Sequence, residues 1–183
     1  MLVAAGSGLL ELAGETGRLA LRFDRAGLEQ GELWRLLTAH LVHLGWSHYW
    51  LNIVALLLLS LLFGPLLPLA GWGLVTLASM FTIDAGLWLC EPSLDWYVGL
   101  SGVLHGFLAA AAVGLFRVRP AEAWVVTTLL LAKLLYESIV GPLPGAETAS
   151  GGAVVVAAHC YGTVGGATAA LLHRVRVRPS RTI

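Results

Sequence analysis

Long apolar runs separated by short polar stretches dominate the hydropathy pattern of this chain. Five runs predict membrane helices: residues 50–63, 69–90, 101–116, 123–140 and 152–172. Residues 1–12 are also apolar, but at about 1.5 Å per residue they are too short to cross about 30 Å of hydrocarbon. Residues 16–47 mix charged and aromatic side chains and predict a long structured loop at the interface. The pattern predicts an all-α polytopic membrane protein, a six-transmembrane-helix bundle whose first helix is short or truncated.

Composition supports a protein embedded in a lipid bilayer. Of 183 residues, 57% are hydrophobic and 12% are charged, about half of the charged fraction of a soluble domain. The formal net charge is zero, so nothing indicates a nucleic-acid partner. The length predicts one membrane domain over residues 1–183 that ends in a basic tail, residues 174–183.

Short charged loops predict the orientation of the bundle. Arg117 and Arg119 lie between two predicted helices, and four arginines follow the last one. With six alternating helices, both places fall on the same side, which is cytoplasmic by the positive-inside rule. The acidic loops at residues 91–95 and 141–150 then face outward.

Ser101 and His159 are polar residues in two of the apolar segments. Ser101 follows Gly99-Leu100 and opens one run, and His159 stands within the last run. Polar groups in hydrocarbon are costly, so each needs a partner or a function. Counted from Gly152, His159 lies about 11 Å deep, level with a serine at the bottom of an inward-dipping loop. This geometry suits a serine nucleophile and its general base.

His48 and Asn52 are four residues apart and share one helix face. An imidazole N–H, a side-chain amide and the backbone N–H of Ser101 could together stabilise an oxyanion during acyl transfer. Alternatively, His48 and Asn52 cap the helix start and bond to loop carbonyls. The presence of Ser101 and His159 in the same chain favours the oxyanion role for His48 and Asn52.

No cofactor or metal is expected. Cys90 and Cys160 match neither a metal nor a redox spacing. His40 and His43 near His48 lack a suitably spaced carboxylate, so a zinc site is not predicted. Lys133 and Glu137, an i, i+4 pair within an apolar segment, predict a mutual ion pair that faces the bundle rather than catalytic groups.

Four motifs together resemble the rhomboid family of intramembrane serine proteases over nearly the whole chain. They are Trp34-Arg35, His48-x-x-x-Asn52, Gly99-x-Ser101-Gly102 and Ala158-His159-x-x-Gly162-x-x-x-Gly166. The resemblance implies that Ser101 is the nucleophile and His159 its only base, in a dyad with no acid. It further implies that His48 and Asn52 are oxyanion-hole donors. Gly162 and Gly166 match glycines that let the Ser-bearing and His-bearing helices approach closely, a packing rule with its own physical basis.

Residues 34–40 and 97–106, together with Lys133 and Glu137, are similar to the rhombosortase branch of that family. His105 stands where general rhomboids commonly carry a tyrosine that stacks on the catalytic histidine. His105 is therefore expected to reach His159 as a stacked ring or as a hydrogen-bond partner, and either to tune the base or to substitute for it. Gly99 and Gly102 are expected to support the active site. The branch implies a bacterial inner-membrane protease that opens to the periplasm. Its substrates would be membrane-anchored proteins with a C-terminal Gly-Gly motif, a hydrophobic helix and a basic tail, the acyl-enzyme being resolved by water or by an amine head group.

Other functions stay open at this point. A general rhomboid protease would cleave other membrane-anchored substrates, and a non-catalytic rhomboid-like protein would bind membrane helices without cleaving them. Both residues of the dyad are present, which favours a protease. A small transporter is disfavoured because the sequence has neither an inverted repeat nor a pair of broken helices.

Overall fold

The computed structural model describes residues 2–173, which fold into a predominantly helical structure. The predicted helical class is therefore confirmed, and the predicted basic tail at 174–183 lies outside the described residues. The helices are α1 (Leu2–Leu12), α2 (Gly14–Leu21), α3 (Arg25–Glu29), α4 (Arg35–Thr38), α5 (Trp46–Phe63), α6 (Leu69–Cys90), α7 (Ser101–Leu115), α8 (Pro120–Val140), α9 (Ala146–Ser150) and α10 (Val156–Leu172). Two short strands, β1 (Phe23–Asp24) and β2 (Trp96–Tyr97), pair antiparallel.

Three helical stretches between residues 2 and 173 are long and apolar enough to cross a bilayer: Trp46–Leu66, Leu69–Cys90 and Pro120–Val140. The first consists of α5 and the 3₁₀ turn that follows it. The apolar helices α7 and α10 have 15 and 17 residues, or about 22 Å and 26 Å of length. Helix length alone therefore identifies three spans rather than six.

Helix α10 begins at Val156, four residues later than the apolar run predicted. Residues 152–155 are not helical, and Val155 has a φ of −83° and a ψ of 88°, outside the helical region. Only three helical residues precede His159, which puts it about 4.5 Å along the helix. The predicted helical conformation of residues 152–155 was wrong because apolar β-branched residues suit extended backbone as well as helix.

Close backbone contact joins α10 to α6 and α7. The Cα of Gly162 lies against the carbonyl of Gly102, and that of Gly166 lies against the main chain of Gly106, with no room for a β-carbon at either place. Gly165 faces the main chain of Ala78 on α6 in the same way. Small residues permit such approach between helices in a bilayer, where van der Waals packing contributes strongly to association.

The segment before α5 is a structured scaffold, as the sequence predicted, although it contains helices α2 to α4. The buried Arg35 guanidinium donates to the carbonyls of Leu19 and Arg22 at 2.9 and 3.0 Å. Arg25 donates to the carbonyls of Leu87 and Glu91 at 2.9 and 3.0 Å, which caps the end of α6. The Arg35 bonds hold the scaffold together, and the Arg25 bond to Glu91 fastens it to the loop that leads into Ser101.

Candidate active site

Ser101 and His159 meet at one end of the bundle. Ser101 is the first residue of α7, and Gly99 before it has a φ of +120°, a conformation that favours glycine. His159 Nε2 lies 3.1 Å from Ser101 Oγ, within hydrogen-bond distance. The His159 ring is buried, with 5% of the residue exposed. This is the separation required of a nucleophile and its general base.

Glu137 gives His159 a second partner that the sequence analysis missed. Glu137 Oε2 lies 2.9 Å from His159 Nδ1, and the same oxygen accepts a hydrogen bond from Lys133 Nζ at 2.6 Å. The carboxylate is buried, with 2% of its side chain exposed. The predicted Lys133–Glu137 ion pair is confirmed. The resemblance implied a dyad with no acid, and the contact of a carboxylate with His159 departs from that expectation. An acceptor at Nδ1 places the proton there and leaves Nε2 free to accept from Ser101.

The observed bounds of α8 and α10 explain this contact, and the predicted helix start at residue 152 concealed it. Glu137 is three residues before the end of α8, and His159 is three residues after the start of α10. The two helices are joined by residues 141–155, so these positions lie at similar depth on the same side of the bundle. Because the i, i+4 spacing already pairs Glu137 with Lys133, nothing in the sequence pointed to His159 as a second partner of Glu137.

The His105 ring stacks on the His159 ring. Their centroids are 4.0 Å apart, and the planes differ by 15°. His105 Nδ1 lies 2.8 Å from the Ser101 carbonyl oxygen and donates to it. The ring thus occupies the stacking place expected for it and makes its hydrogen bond one turn back along α7, not to His159.

His48 and Asn52 lie close to the loop before Ser101. His48 Nδ1 accepts a hydrogen bond from the Leu44 backbone N–H at 3.3 Å, so the ring proton resides on Nε2. A β-carbon at Gly99 would lie only 2.7 Å from the His48 ring, which shows how closely the ring packs on this loop. Asn52 Nδ2 donates to the His48 carbonyl at 3.0 Å within α5, not to a loop carbonyl as in the capping alternative, and it still has a second N–H.

His43 flanks His48 on the side of the scaffold loop. The two rings meet edge to face, with centroids 5.1 Å apart. Burial, together with the neighbouring His48, lowers the pKa of His43 to about 3. At neutral pH His43 is therefore an uncharged ring that packs against His48.

A cavity of about 280 Å³ opens beside Ser101. Its lining includes His48 and two segments without regular helix, residues 93–98 and 153–155. The size is near the lower end of the range for ligand pockets, about 300–1,000 Å³.

The ligand atoms of His105, Glu137 and His159 lie within 4.8 Å of one another, close enough to be tested as a metal site. Parallel stacked rings direct their in-plane lone pairs side by side instead of toward one tetrahedral centre. In addition, both His159 nitrogens and the nearer Glu137 oxygen already have hydrogen-bond partners. The arrangement fits proton transfer better than metal binding.

Comparison with known proteins places the chain in a family. Residues 30–176 match the family model of the Rhomboid domain. The chain is 34% identical over 169 residues to an uncharacterized protein of Mycobacterium tuberculosis, Rv1337, and to one of Mycobacterium bovis, Mb1372. Each alignment covers 85% of this chain and 65% of the relative, so the chain spans about two thirds of their length. No solved structure matches the chain. Because the Rhomboid domain covers most of its length, this chain belongs to the rhomboid family, whose members are generally intramembrane serine proteases.

Proposed function

We propose that this protein is an intramembrane serine endopeptidase in which Ser101 is the nucleophile and His159 the general base. The observation that carries the proposal is the 3.1 Å contact between Ser101 Oγ and His159 Nε2. It occurs beside a cavity at the end of an apolar helix bundle. A serine and a buried imidazole in this relation are suited to acyl transfer.

The reaction proceeds in two steps. His159 Nε2 takes the proton of Ser101 as Oγ attacks the scissile carbonyl, and the imidazolium then protonates the departing amine as the C–N bond breaks. Water, or an amine that replaces it, next attacks the acyl-enzyme ester. Its proton passes to His159 and then to Ser101 Oγ as the ester bond breaks, which restores both residues.

Three N–H donors are assigned to the oxyanion: the His48 Nε2–H, the free amide N–H of Asn52 and the backbone N–H of Ser101. The proton on His48 Nε2 follows from the Leu44 bond to Nδ1. The close packing of His48 on Gly99 holds this ring beside the loop that leads to Ser101. Preorganised donors of this kind act where charge develops in the transition state.

The proposed substrate is a secreted or surface protein anchored by a C-terminal Gly-Gly motif, a hydrophobic helix and a basic tail. Similarity of residues 97–106 to the rhombosortase branch supports this choice. Small residues suit the small cavity, and each glycine weakens a helix by about 1 kcal/mol relative to alanine, which eases exposure of the scissile bond. The acyl-enzyme is resolved either by hydrolysis or by transfer of the acyl group to an amine head group.

The proposed setting is a bacterial inner membrane, with the site open to the periplasm. Helices α7 and α10 are taken as spans together with the three longer ones, and α1 as the sixth. The short basic loop at Arg117 and Arg119 supports a cytoplasmic position for the opposite end of the bundle.

The test is covalent labelling by a fluorophosphonate probe in membranes, followed by cleavage of a reporter. Wild type should be labelled, and both S101A and H159A should lose labelling and cleavage. Ser60 is an exposed serine in the apolar helix α5, so S60A is the matched control and should behave as wild type. An unlabelled wild type that still binds the reporter would overturn the protease in favour of a helix-binding protein.

The reporter distinguishes the two protease alternatives. A C-terminal tail with Gly-Gly should be cleaved much faster than the same tail with Leu-Leu in that position. Equal cleavage of both tails would favour a general rhomboid protease. The mass of the released product separates hydrolysis from transfer, because an attached amine adds its own mass.

A further inference from the structure

We propose that Glu137 is the positioning residue of a Ser101–His159–Glu137 triad and that Lys133 holds its carboxylate in place. This inference rests on the proposed function of Ser101 and His159. It differs from the dyad that the family resemblance implies, because a carboxylate acts on the base.

The geometry is a continuous chain of hydrogen bonds. Ser101 Oγ lies 3.1 Å from His159 Nε2, and His159 Nδ1 lies 2.9 Å from Glu137 Oε2. Each imidazole nitrogen therefore has one partner, and the partner at Nδ1 accepts only. This fixes the productive tautomer and the ring orientation, and it stabilises the imidazolium that forms during attack.

Burial makes the carboxylate effective. Glu137 has 2% of its side chain exposed, whereas Lys133 has 29% exposed. In a setting of low dielectric a charge on Glu137 acts strongly on His159, and it would be costly without a counter-ion. The Lys133 ammonium at 2.6 Å supplies that counter-ion. Since it bonds the same oxygen as His159, it also keeps that oxygen turned toward the ring.

The His105 ring does not compete with the Glu137 carboxylate for the Nδ1–H of His159. His105 stacks on the face of His159, so it restricts tilting of the ring but does not bond either nitrogen. Its own Nδ1 is engaged with the Ser101 carbonyl. Stacking and the Glu137 bond thus constrain different motions of one ring.

The decisive experiment measures kcat and KM separately for E137Q and E137D. Replacing the carboxylate by an amide should lower kcat by about 10²-fold or more without a comparable change in KM, because the His159 tautomer and the imidazolium lose their support. E137D retains the charge and should recover part of that loss. E122Q is the matched control: Glu122 lies on the same helix, 52% exposed and paired with Arg119, and its loss should leave both constants unchanged.

A double variant separates positioning from simple ion pairing. If Glu137 served only to neutralise Lys133, E137Q/K133Q would remove both charges and restore kcat. The triad predicts that the double variant stays as impaired as E137Q. Recovery of kcat in the double variant, or E137Q activity within about twofold of wild type, would overturn the inference.

Probe labelling keeps the two proposals distinguishable. If wild type is labelled at Ser101 and E137Q is labelled at the same rate, the triad fails while the protease stands. If wild type is not labelled at all, the proposed function fails first. Thermal unfolding of E137Q in detergent shows whether the variant is inactive because it is misfolded. If it is misfolded, the kcat and KM of E137D are compared with those of wild type instead.

Discussion

Gly162 on α10 lies against the carbonyl of Gly102 on α7, with no space for a methyl group between the two main chains. This contact sets the separation of the helices that carry His159 and Ser101. G162A should therefore push the two helices apart, lower the unfolding temperature, and destabilise the fold by about 1–3 kcal/mol. Thermal unfolding in detergent measures the loss of stability, and probe labelling of Ser101 reports whether the helices that carry Ser101 and His159 have moved apart.

Gly73 provides the matched control for this prediction. It lies within α6, and a β-carbon there would meet nothing within 4 Å. G73A should keep or raise the unfolding temperature, because alanine favours helix over glycine by about 1 kcal/mol. Equal unfolding temperatures for G162A and G73A would contradict a packing role for Gly162.

The stack of His105 on His159 leads to a second prediction. H105A removes the ring and should lower kcat/KM roughly fivefold, since an aromatic pair is worth about 1 kcal/mol beyond its area. H105F retains a ring but not the bond to the Ser101 carbonyl, and it should keep most of the activity. Wild-type activity in H105A would remove any role for the stack, and a loss in H105F equal to that in H105A would assign the effect to the hydrogen bond.

The placement of Ser101 and His159 could be predicted because both are polar residues in segments that are otherwise apolar. Their motifs carried enough information to pair them, although 57 residues lie between them in the sequence. Glu137 could not be assigned by the same reasoning. Its neighbour Lys133 satisfied it locally, and local pairing conceals a contact made between helices.

Helix ends were also beyond the reach of hydropathy. An apolar run predicts burial but not conformation, so residues 152–155 read as helix although they are extended or irregular. The scaffold bonds of Arg25 and Arg35 were equally hidden. Their acceptors are backbone carbonyls, which leave no signature in a sequence.

Asn52 provides a third prediction, on the oxyanion. N52A should lower kcat by about 10²-fold or more at nearly unchanged KM if the amide donates in the transition state. In a purely structural role, Asn52 acts through its bond to the His48 carbonyl within α5. That role predicts a lower unfolding temperature with kcat retained, so measuring both quantities on the same preparation decides between them.

Asp24 in the scaffold predicts a pH dependence of stability. Burial raises its pKa, but hydrogen bonds from Arg22 and from the Gly27 N–H at the start of α3 outweigh this and leave the pKa below its usual value. Because the folded pKa is depressed, the carboxylate stabilises the fold above its unfolded pKa of about 4. That contribution disappears as the pH falls through the folded value.

D24N retains the acceptor oxygen of a good N-cap side chain. It removes the charge together with the second oxygen, which accepts from Arg22. At pH 7 it should unfold at a lower temperature than wild type, and the difference should shrink as the pH is lowered below about 4. A difference that is constant from pH 7 to pH 3 would show that the charge of Asp24 does not contribute. Unfolding temperatures across this range, at constant ionic strength, provide the measurement.

Cys90 tests the proposed orientation. It is exposed at the end of α6, just before the loop that leads to Ser101. If that end of the bundle faces the periplasm, a membrane-impermeant maleimide should label Cys90 in cells whose inner membrane is intact, and C90S should abolish this signal. Val118, exposed in the basic loop at the opposite end, supplies the control: C90S/V118C should be labelled only after the membrane is disrupted. Labelling of V118C in intact cells, with Cys90 protected, would reverse the orientation, because positively charged loops are expected to remain cytoplasmic.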